Sequence, residues 1–370
     1  MRRSTRTRSP CRQRPGDTVT TSEQPAPTST DATRDFLTAI DVERQRLSIP
    51  GAIVHVSSPT VGSWTHALGV ADVRATTPLA VDSRMRAGSV TKVVVGTMVL
   101  QLVDSGELDL DHDVRAIMPD LSVPPGVTVR HLLAMTSGLP DYTSDAFIEA
   151  LWDAPDRVWS PEELLDTTRG EPQHFAPGTS WEYCNSGYIV LGLIIEHLTG
   201  RTATEVARDL VFEPLGMLDS DIAPPDRPAV ALQSAPVRGY HPRDGQLADA
   251  THINMSWAWT AGSLVSTAAD LARLVEAVAA GELLSDAAQR ERLDTMAVPG
   301  ASIRYGLGIA DFDGLWGHNG SLPGFQSFAG YAPASGTTIV AMTNVDDSAA
   351  DNLAAFIRTR LAAKDSAHRP

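Results

Sequence analysis

Cysteine is almost absent from this chain of 370 residues, which contains two. Cys11 lies near the N-terminus and Cys184 lies near the middle of the chain, so a disulfide framework is not expected. No group of cysteine and histidine residues has the spacing of metal ligands. The sequence therefore gives no indication of a structural or catalytic zinc site.

Long hydrophobic runs are also missing. No 18 consecutive apolar residues occur, so no transmembrane helix is predicted. The N-terminus carries positive charge but no apolar segment, which argues against a signal peptide in the sequence as written. We therefore expect a cytoplasmic protein, with secretion as the alternative if the start site is assigned wrongly.

Positive charge is scarce over most of the chain. The net charge is −15, although six arginines and no acidic residue lie within the first 16 positions. An acidic surface repels phosphate backbones, so nucleic-acid binding by the folded part is not expected. Residues 1–30, rich in Pro, Ser, Thr and Arg, have the composition of a disordered tail.

Apolar periodicity and turn residues organise the remaining sequence. A helical pattern begins near Asp31, and two strand-like runs follow it. Four more strand-like runs lie between residues 304 and 345, before a helix over about 349–363. We predict one α/β (α+β) domain over 31–366, with an antiparallel sheet flanked by helices from about 31–88 and 262–366. A mainly helical lobe, about 89–261, is inserted between them.

Lysine is the rarest charged residue, because Lys92 and Lys364 are the two lysines among 30 basic residues. Arginine stays protonated in proteins, whereas a buried lysine can lose its proton. A lysine retained at position 92, within an apolar helical pattern, indicates that a neutral amine is required there, as in a general base. A surface lysine that extends its amine to water is the alternative.

Ser89 lies three residues before Lys92. Residues at i and i+3 share a helix face, so the hydroxyl and the amine would meet at the start of the helix. Serine is a weak nucleophile until a base takes its proton, and a helix N-terminus favours the developing negative charge. Ser-x-x-Lys is therefore a minimal activated-serine unit, although the pattern also arises by chance.

Two further short motifs carry candidate residues. Tyr183 and Asn185, in SWEYCNSGY, would supply a phenol that relays protons and an amide for a substrate carbonyl; a loop tyrosine and a capping asparagine are the alternatives. His318 and Gly320, in GHNG, lie on a predicted strand where glycine permits close approach of a substrate backbone. Taken alone, His318 is more simply a structural histidine.

In combination and in this order, the three motifs resemble those of the serine β-lactamase and penicillin-binding-protein superfamily. The Tyr-x-Asn and His-x-Gly forms are similar to the class C β-lactamase-like branch, which includes actinomycete D-alanyl-D-alanine carboxypeptidases and related esterases. The stretches VTVRHLLAMTSGLPDYT, FEPLGM, SWAWTAGSLVSTAADLARL and YGLGI also match. The resemblance covers about residues 35–362 and implies a two-lobed β-lactamase-like fold.

This resemblance also implies a role for each catalytic candidate. Ser89 would be the acylated nucleophile. Lys92 and Tyr183 would share the acid and base work. Asn185 would bind the substrate carbonyl, and His318 would lie beside Tyr183 and tune the site.

The implied substrate-binding residues lie mainly on the third motif. The backbone N–H groups of Ser89 and Ser321 would form the oxyanion hole. Asn319 and Gly320 would contact the substrate, and Trp257 either lines the cleft or packs in the core. No metal or other cofactor is implied.

Two departures from the carboxypeptidase pattern bear on the substrate. Asn319 stands where relatives commonly have a threonine that meets a substrate carboxylate, and residues 309–312 lack the cation expected after YGLG. Asp311 would repel a carboxylate if it faced the cleft.

The predicted function is a serine hydrolase that works through an acyl-enzyme, of the D-alanyl-D-alanine carboxypeptidase or β-lactamase type. An ester hydrolase or D-amino-acid amidase is one alternative, and a non-catalytic penicillin-binding-type sensor is another. The expected partners are small esters or short D-peptides, with β-lactams as further candidates. The sequence leaves the oligomeric state open.

Overall fold

A computed structural model describes residues 31–223 and 237–367. The predicted tail over 1–30 lies outside the described residues. The α-helices within these ranges are α1 (Asp31–Arg46), α2 (Thr91–Asp104), α3 (Val114–Ile117), α4 (Val129–Leu133), α5 (Asp145–Asp153), α6 (Pro161–Asp166), α7 (Asn185–Thr199), α8 (Ala203–Ala207), α9 (Glu213–Leu215), α10 (Trp259–Gly262), α11 (Ala268–Ala280), α12 (Asp286–Leu293) and α13 (Ala349–Ala367). A π-helical turn occupies Arg208–Phe212, and a 3-10 turn occupies Met255–Trp257.

The strands form one large sheet and two small ones. They are β1 (Gly51–Ser58), β2 (Gly62–Asp72), β3 (Thr77–Pro78), β4 (Met85–Gly88), β5 (Asp221–Ile222), β6 (Tyr240–Arg243), β7 (Gln246–Asp249), β8 (Leu264–Ser266), β9 (Met296–Ala297), β10 (Arg304–Tyr305), β11 (Ala310–Asp311), β12 (Trp316–Leu322), β13 (Phe325–Ala332) and β14 (Thr337–Thr343). The large sheet has the order β3-β2-β1-β14-β13-β12-β11-β10-β9, and its neighbours pair antiparallel. The predicted fold class, helices with an antiparallel sheet, is confirmed.

Both faces of the large sheet are covered by helices. Side chains alternate between the faces of a strand, so Val340 and Met342 of β14 join one apolar core while Ile339 and Ala341 join the other. Helix α11 packs on the first face, and α1 and α13 pack on the second. Burial of each aliphatic side chain contributes about 1.5–3 kcal/mol to the free energy of unfolding. The two cores therefore hold the sheet at a fixed position relative to the helices.

Helix α2 lies inside the protein rather than on its surface. Of its 14 residues, 11 are buried, and they occur on every side of the helix, as expected for a core helix. Helix α7 packs beside it and ends at Gly200, which has a φ of 65°. Any polar side chain in α2 must therefore find its partners within the protein.

The observed elements differ from the predicted ones in detail. The run over 304–312, predicted as one strand, forms the two short strands β10 and β11, because the chain turns back at Gly308, where φ is 72°. The helix expected from Ser89 begins at Thr91. The two-lobe boundaries stay a prediction. Over the ranges that the structure describes, no helix combines the length and apolar character needed to cross a bilayer.

Candidate active site

Ser89 lies in the tight connection between β4 and α2. Gly88 has a φ of 55°, and a Cβ atom built on it would lie 2.9 Å from the backbone nitrogen of Ser321. A Cβ atom on Gly320 would lie 2.1 Å from the carbonyl oxygen of Ala87 and 2.8 Å from the nitrogen of Ser89. These two glycines let β12 pass directly against the serine. The backbone nitrogens of Ser89 and Ser321 therefore lie at the same end of the cleft.

The amine of Lys92 is fully buried beside this serine. Its Nζ lies 3.2 Å from Ser89 Oγ, 2.8 Å from Asn185 Oδ1 and 2.6 Å from the carbonyl oxygen of Ala261. Burial lowers the pKa of Lys92 from 10.5 to about 7, and the negative charge of Asp141 opposes this shift. At neutral pH the amine is therefore present in both protonation states, next to a hydroxyl.

Asn185 is the first residue of helix α7, and its side chain contacts the amine of Lys92. Its Oδ1 accepts from Lys92, and its Nδ2 donates to Asp141 Oδ2 and Thr143 Oγ1, both at 3.0 Å. Each of the two amide hydrogens thus has a protein acceptor. The expected contact of Asn185 with a substrate carbonyl stays a prediction, and it would require one of these two bonds to be exchanged.

The ring of Tyr183 lies against the amine, with its centroid 4.8 Å from Lys92 Nζ. Burial raises the pKa of Tyr183 well above its ordinary value, although its interaction with the Ser89 hydroxyl opposes that shift. The phenol therefore keeps its proton at neutral pH. The phenol interacts with the Ser89 hydroxyl, and its predicted role in proton transfer stays a prediction.

His318 lies one layer behind Tyr183, with the two ring centroids 6.2 Å apart. Its Nε2 lies 3.0 Å from Tyr305 Oη, and its Nδ1 pairs with the carbonyl oxygen of Asn319. Burial, and then the charge of Lys92, lower the pKa of His318 to about 3. The imidazole is therefore neutral. The predicted proximity to Tyr183 is observed, but the hydrogen-bond partner of Nε2 is Tyr305.

A cleft of about 470 Å³ opens in front of these groups. Seven of the nine predicted site residues line it: Ser89, Tyr183, Asn185, Trp257, Asn319, Gly320 and Ser321. Lys92 and His318 lie behind its wall. Trp257 lines the cleft and is 5% exposed, so most of its side chain packs in the core. Both alternatives given for this residue from the sequence therefore apply.

The side chain of Asn319 is directed to the end of a helix. Its Nδ2 donates to Asp351 Oδ2 at 3.1 Å, and Asp351 lies in the first turn of α13. Burial raises the pKa of Asp351, and the bond from Asn319 opposes this. The condition set for Asp311 is not met: it is not among the residues that line the cleft, and its Oδ1 accepts from the nitrogen of Gly314 in a turn.

Cys184, between the two residues of the second motif, is a packing residue. It is buried, its Sγ donates to the carbonyl oxygen of Leu139, and burial raises the pKa of the thiol to about 12. Within 31–223 and 237–367, no three His, Cys, Asp or Glu side chains are grouped in a way that suits a metal ion.

Several contacts of the site were missed from the sequence. Asp141 and Thr143 lie in VTVRHLLAMTSGLPDYT, and Tyr305 lies in YGLGI; both stretches were matched to the superfamily without a role for these residues. His241 and Asp346, which also line the cleft, carried no signal at all. No spacing rule connects them to Ser89, since separate loops bring them together.

Comparison with known proteins agrees with this geometry. The family model described as Beta-lactamase matches residues 39–364. The chain belongs to the β-lactamase family. It is thus a serine hydrolase of the β-lactamase and penicillin-binding-protein superfamily, and the predicted resemblance is confirmed.

Relatives of this β-lactamase-family chain have different named activities. Penicillin-binding protein 4 of Amycolatopsis lactamdurans is 32% identical over 330 residues, which cover 82% of this chain and 83% of the relative. Esterase EstB of Burkholderia gladioli is 30% identical over 279 residues, covering 65% and 70%. The crystal structure of the D-amino acid amidase of Ochrobactrum anthropi SV3 with L-phenylalanine amide has a TM-score of 0.80 at 26% identity, covering 91% of this chain and 99% of the other.

Proposed function

We propose that Ser89 is the acylated nucleophile and that Lys92 is the base that takes its proton. The observation that carries this proposal is the buried Nζ, 3.2 Å from Ser89 Oγ with a pKa lowered to about 7. A neutral amine has two hydrogens and one lone pair. The hydrogens serve Asn185 Oδ1 and the carbonyl oxygen of Ala261, which leaves the lone pair for the serine hydroxyl.

The reaction follows from these contacts. Ser89 Oγ bonds to the substrate carbonyl carbon as its proton passes to Lys92. The leaving group departs with a proton delivered through Lys92 and Tyr183, and a water molecule then attacks the acyl-enzyme to release the acid and restore Ser89. The backbone N–H groups of Ser89 and Ser321 form the proposed oxyanion hole, where one donor typically lowers the barrier by about 3 kcal/mol.

We infer that the substrate is an ester or an amide with no free carboxylate beside the scissile bond. No lysine or arginine is found among the described residues that line the cleft. Asn319 lines the cleft, and its amide donates to the carboxylate of Asp351, which lies behind it. A substrate carboxylate would lack a cation and would approach a negative charge, which is unfavourable.

A D-alanyl-D-alanine carboxypeptidase is the second candidate. It is favoured by the 32% identity with penicillin-binding protein 4 over most of both chains. The two candidates differ in whether the leaving group carries a carboxylate, and a direct comparison of substrates separates them.

The test compares the wild type, Ser89→Ala and the control Ser335→Ala, whose serine lies in an exposed turn. Each protein is assayed on p-nitrophenyl butyrate, D-alanine amide and a D-alanyl-D-alanine peptide, and its intact mass is measured after penicillin. We expect hydrolysis of the ester and the amide by the wild type and by Ser335→Ala, and no hydrolysis by Ser89→Ala.

The outcomes separate the candidates. Release of D-alanine from the peptide at a rate similar to ester turnover would favour the carboxypeptidase, as would rapid trapping of penicillin on Ser89. Full activity of Ser89→Ala would overturn the proposed nucleophile. A wild type without any reaction would favour a non-catalytic sensor.

A further inference from the structure

His241 and Asp346 form a pair in the cleft that the proposed acyl transfer does not use. Both residues line the same cavity as Ser89. His241 Nδ1 lies 2.8 Å from Asp346 Oδ2 and 3.0 Å from Oδ1, and the backbone nitrogen of Gly324 donates to Oδ2 at 3.0 Å. The side chain of Asp346 is 8% exposed, whereas that of His241 is 37% exposed.

The backbone fixes this pair in place. The residues before them, Tyr240 and Val345, form a parallel β-bridge, and the nitrogen of Tyr240 donates to the carbonyl oxygen of Asn344 at 3.0 Å. Burial raises the pKa of Asp346, and the hydrogen bonds from His241 and Gly324 oppose that rise. The carboxylate is held by an imidazole and backbone amides, without lysine or arginine, so its burial costs stability.

The pair presents an acceptor to the cleft. In the tautomer whose Nδ1–H is donated to Asp346, the lone pair lies on Nε2. Within the described part of the chain, Nε2 makes no hydrogen bond. Trp152 lies next to it, with ring centroids 5.2 Å apart, and also lines the cleft. The guanidinium of Arg243 already lies 5.6 Å from the centroid of the Trp152 ring and pairs with Glu149. The feature that suits a positively charged ligand is therefore the imidazole acceptor backed by a carboxylate.

The charges around the cleft favour the same sign of ligand. No lysine or arginine lines it among the described residues, and Asp346 does. The carboxylates of Asp141 and Asp351 lie one hydrogen bond behind Asn185 and Asn319. The ammonium form of Lys92 offsets part of this negative potential but is committed to its own three acceptors. The charge of Arg243, over the outer ring of Trp152, is balanced by Glu149.

The position of the pair indicates which part of the substrate it meets. Tyr183, the proposed proton donor to the leaving group, lies near His318, towards the start of β12. Asp346 bonds to Gly324, just beyond the end of β12. Gly324 is three residues after Ser321, which is at most about 10 Å along an extended chain. If Tyr183 donates to the leaving group, the pair lies on the opposite side, which is that of the acyl group.

Resting on the proposed acyl transfer at Ser89, we propose that His241, oriented by Asp346, binds an ammonium group on the acyl part of the substrate. The substrates would then be esters or amides of amino acids or of short peptides with a free amine. Nε2 accepts a hydrogen bond from the ammonium group, and the carboxylate of Asp346 supplies the opposite charge.

The test uses three p-nitroanilides of similar size: 4-aminobutanoyl, which is cationic, pentanoyl, which is neutral, and succinyl, which is anionic. We expect the wild type to hydrolyse the cationic one with a kcat/KM at least about tenfold above the neutral one. Asp346→Asn should remove this preference, and the loss should appear mainly as a higher KM for the cationic substrate. The control Glu282→Gln, which removes an exposed carboxylate outside the cleft, should keep the preference.

A second measurement uses the wild type alone, so it does not depend on the folding of a variant. Butylammonium should inhibit hydrolysis of p-nitrophenyl butyrate competitively, at least about tenfold better than pentanol does. Equal inhibition, equal turnover of the cationic and neutral anilides, or a preference for the succinyl substrate would overturn the inference. If the ester is hydrolysed but the cationic and neutral substrates are not distinguished, only this inference is wrong. If no substrate is hydrolysed, both the proposed function and this inference are wrong.

Discussion

Tyr305 Oη lies 3.0 Å from His318 Nε2, in the buried layer behind the nucleophile. The pKa of His318 is lowered to about 3, so its ring is neutral: Nδ1–H is donated to the carbonyl oxygen of Asn319, and Nε2 accepts from Tyr305. This bond connects β10 to β12, the strand that carries Gly320 and Ser321 past the serine. The neutral histidine therefore helps to hold β12 in place, and both of its ring nitrogens are engaged in hydrogen bonds.

Replacement of this phenol should weaken the fold without removing the chemistry. In Tyr305→Phe, Nε2 of His318 loses its partner in a buried site, so we expect the free energy of unfolding to fall by about 1–3 kcal/mol. Urea titration measures this, and Tyr331→Phe, on the neighbouring strand β13 and less buried, is the control. Equal stability of the two variants would contradict the structural role of the pair.

Stability should depend on pH through Lys92. Its pKa is about 7 in the folded protein and 10.5 as the ordinary value, so between these pH values the unfolded chain binds a proton that the folded chain does not. The free energy of unfolding therefore rises with pH, by up to about 1.4 kcal/mol per pH unit from this group. Lys92→Met should lack this rise. Denaturant titrations of both proteins from pH 7 to 10 measure the difference, and parallel curves would contradict burial of a neutral amine.

The charge of Asp141 should set the pH at which the enzyme becomes active. Its carboxylate raises the pKa of Lys92 against the effect of burial, so Asp141→Asn should lower that pKa. The acidic limb of kcat/KM for p-nitrophenyl butyrate should then move to lower pH by roughly one unit or less. Asp145→Asn, an exposed site nearby on α5, should leave the limb unchanged. A shift to higher pH in Asp141→Asn would contradict the sign of this effect.

The Asn319–Asp351 contact should exclude carboxylate-bearing substrates. Asn319→Thr combined with Asp351→Asn removes one negative charge and restores a hydroxyl donor, so acylation by penicillin should accelerate by about tenfold while ester hydrolysis changes little. Intact mass against time gives the acylation rate. An unchanged rate would show that some other feature of the cleft selects against carboxylates.

Much of this architecture follows from the sequence. The strand-like runs predicted β12, β13 and β14, and the apolar pattern around Lys92 predicted a helix, which the structure shows to be buried. The scarcity of lysine by itself pointed to Lys92 as a candidate base. These features are local, so the order of residue types is enough to predict them.

The remaining contacts depend on distant parts of the chain. Asp141 reaches Asn185 across 44 residues, and His241 reaches Asp346 across 105. Nothing in the pattern around either partner indicates the other. The prediction of a single strand over 304–312 was wrong because the chain turns back at Gly308, where φ is positive. A hydrophobic pattern does not indicate the sign of φ.

The most direct test of the proposed chemistry is the rate at which a fluorophosphonate labels Ser89, measured by intact mass from pH 5 to 9 in the wild type and in Lys92→Arg. We predict that labelling of the wild type rises with pH with a midpoint near 7, the pKa to which burial lowers Lys92, and that Lys92→Arg, which cannot give up its proton, is not labelled at any of these pH values. Labelling of Lys92→Arg at the wild-type rate, or a wild-type rate independent of pH, would contradict the assignment of Lys92 as the base.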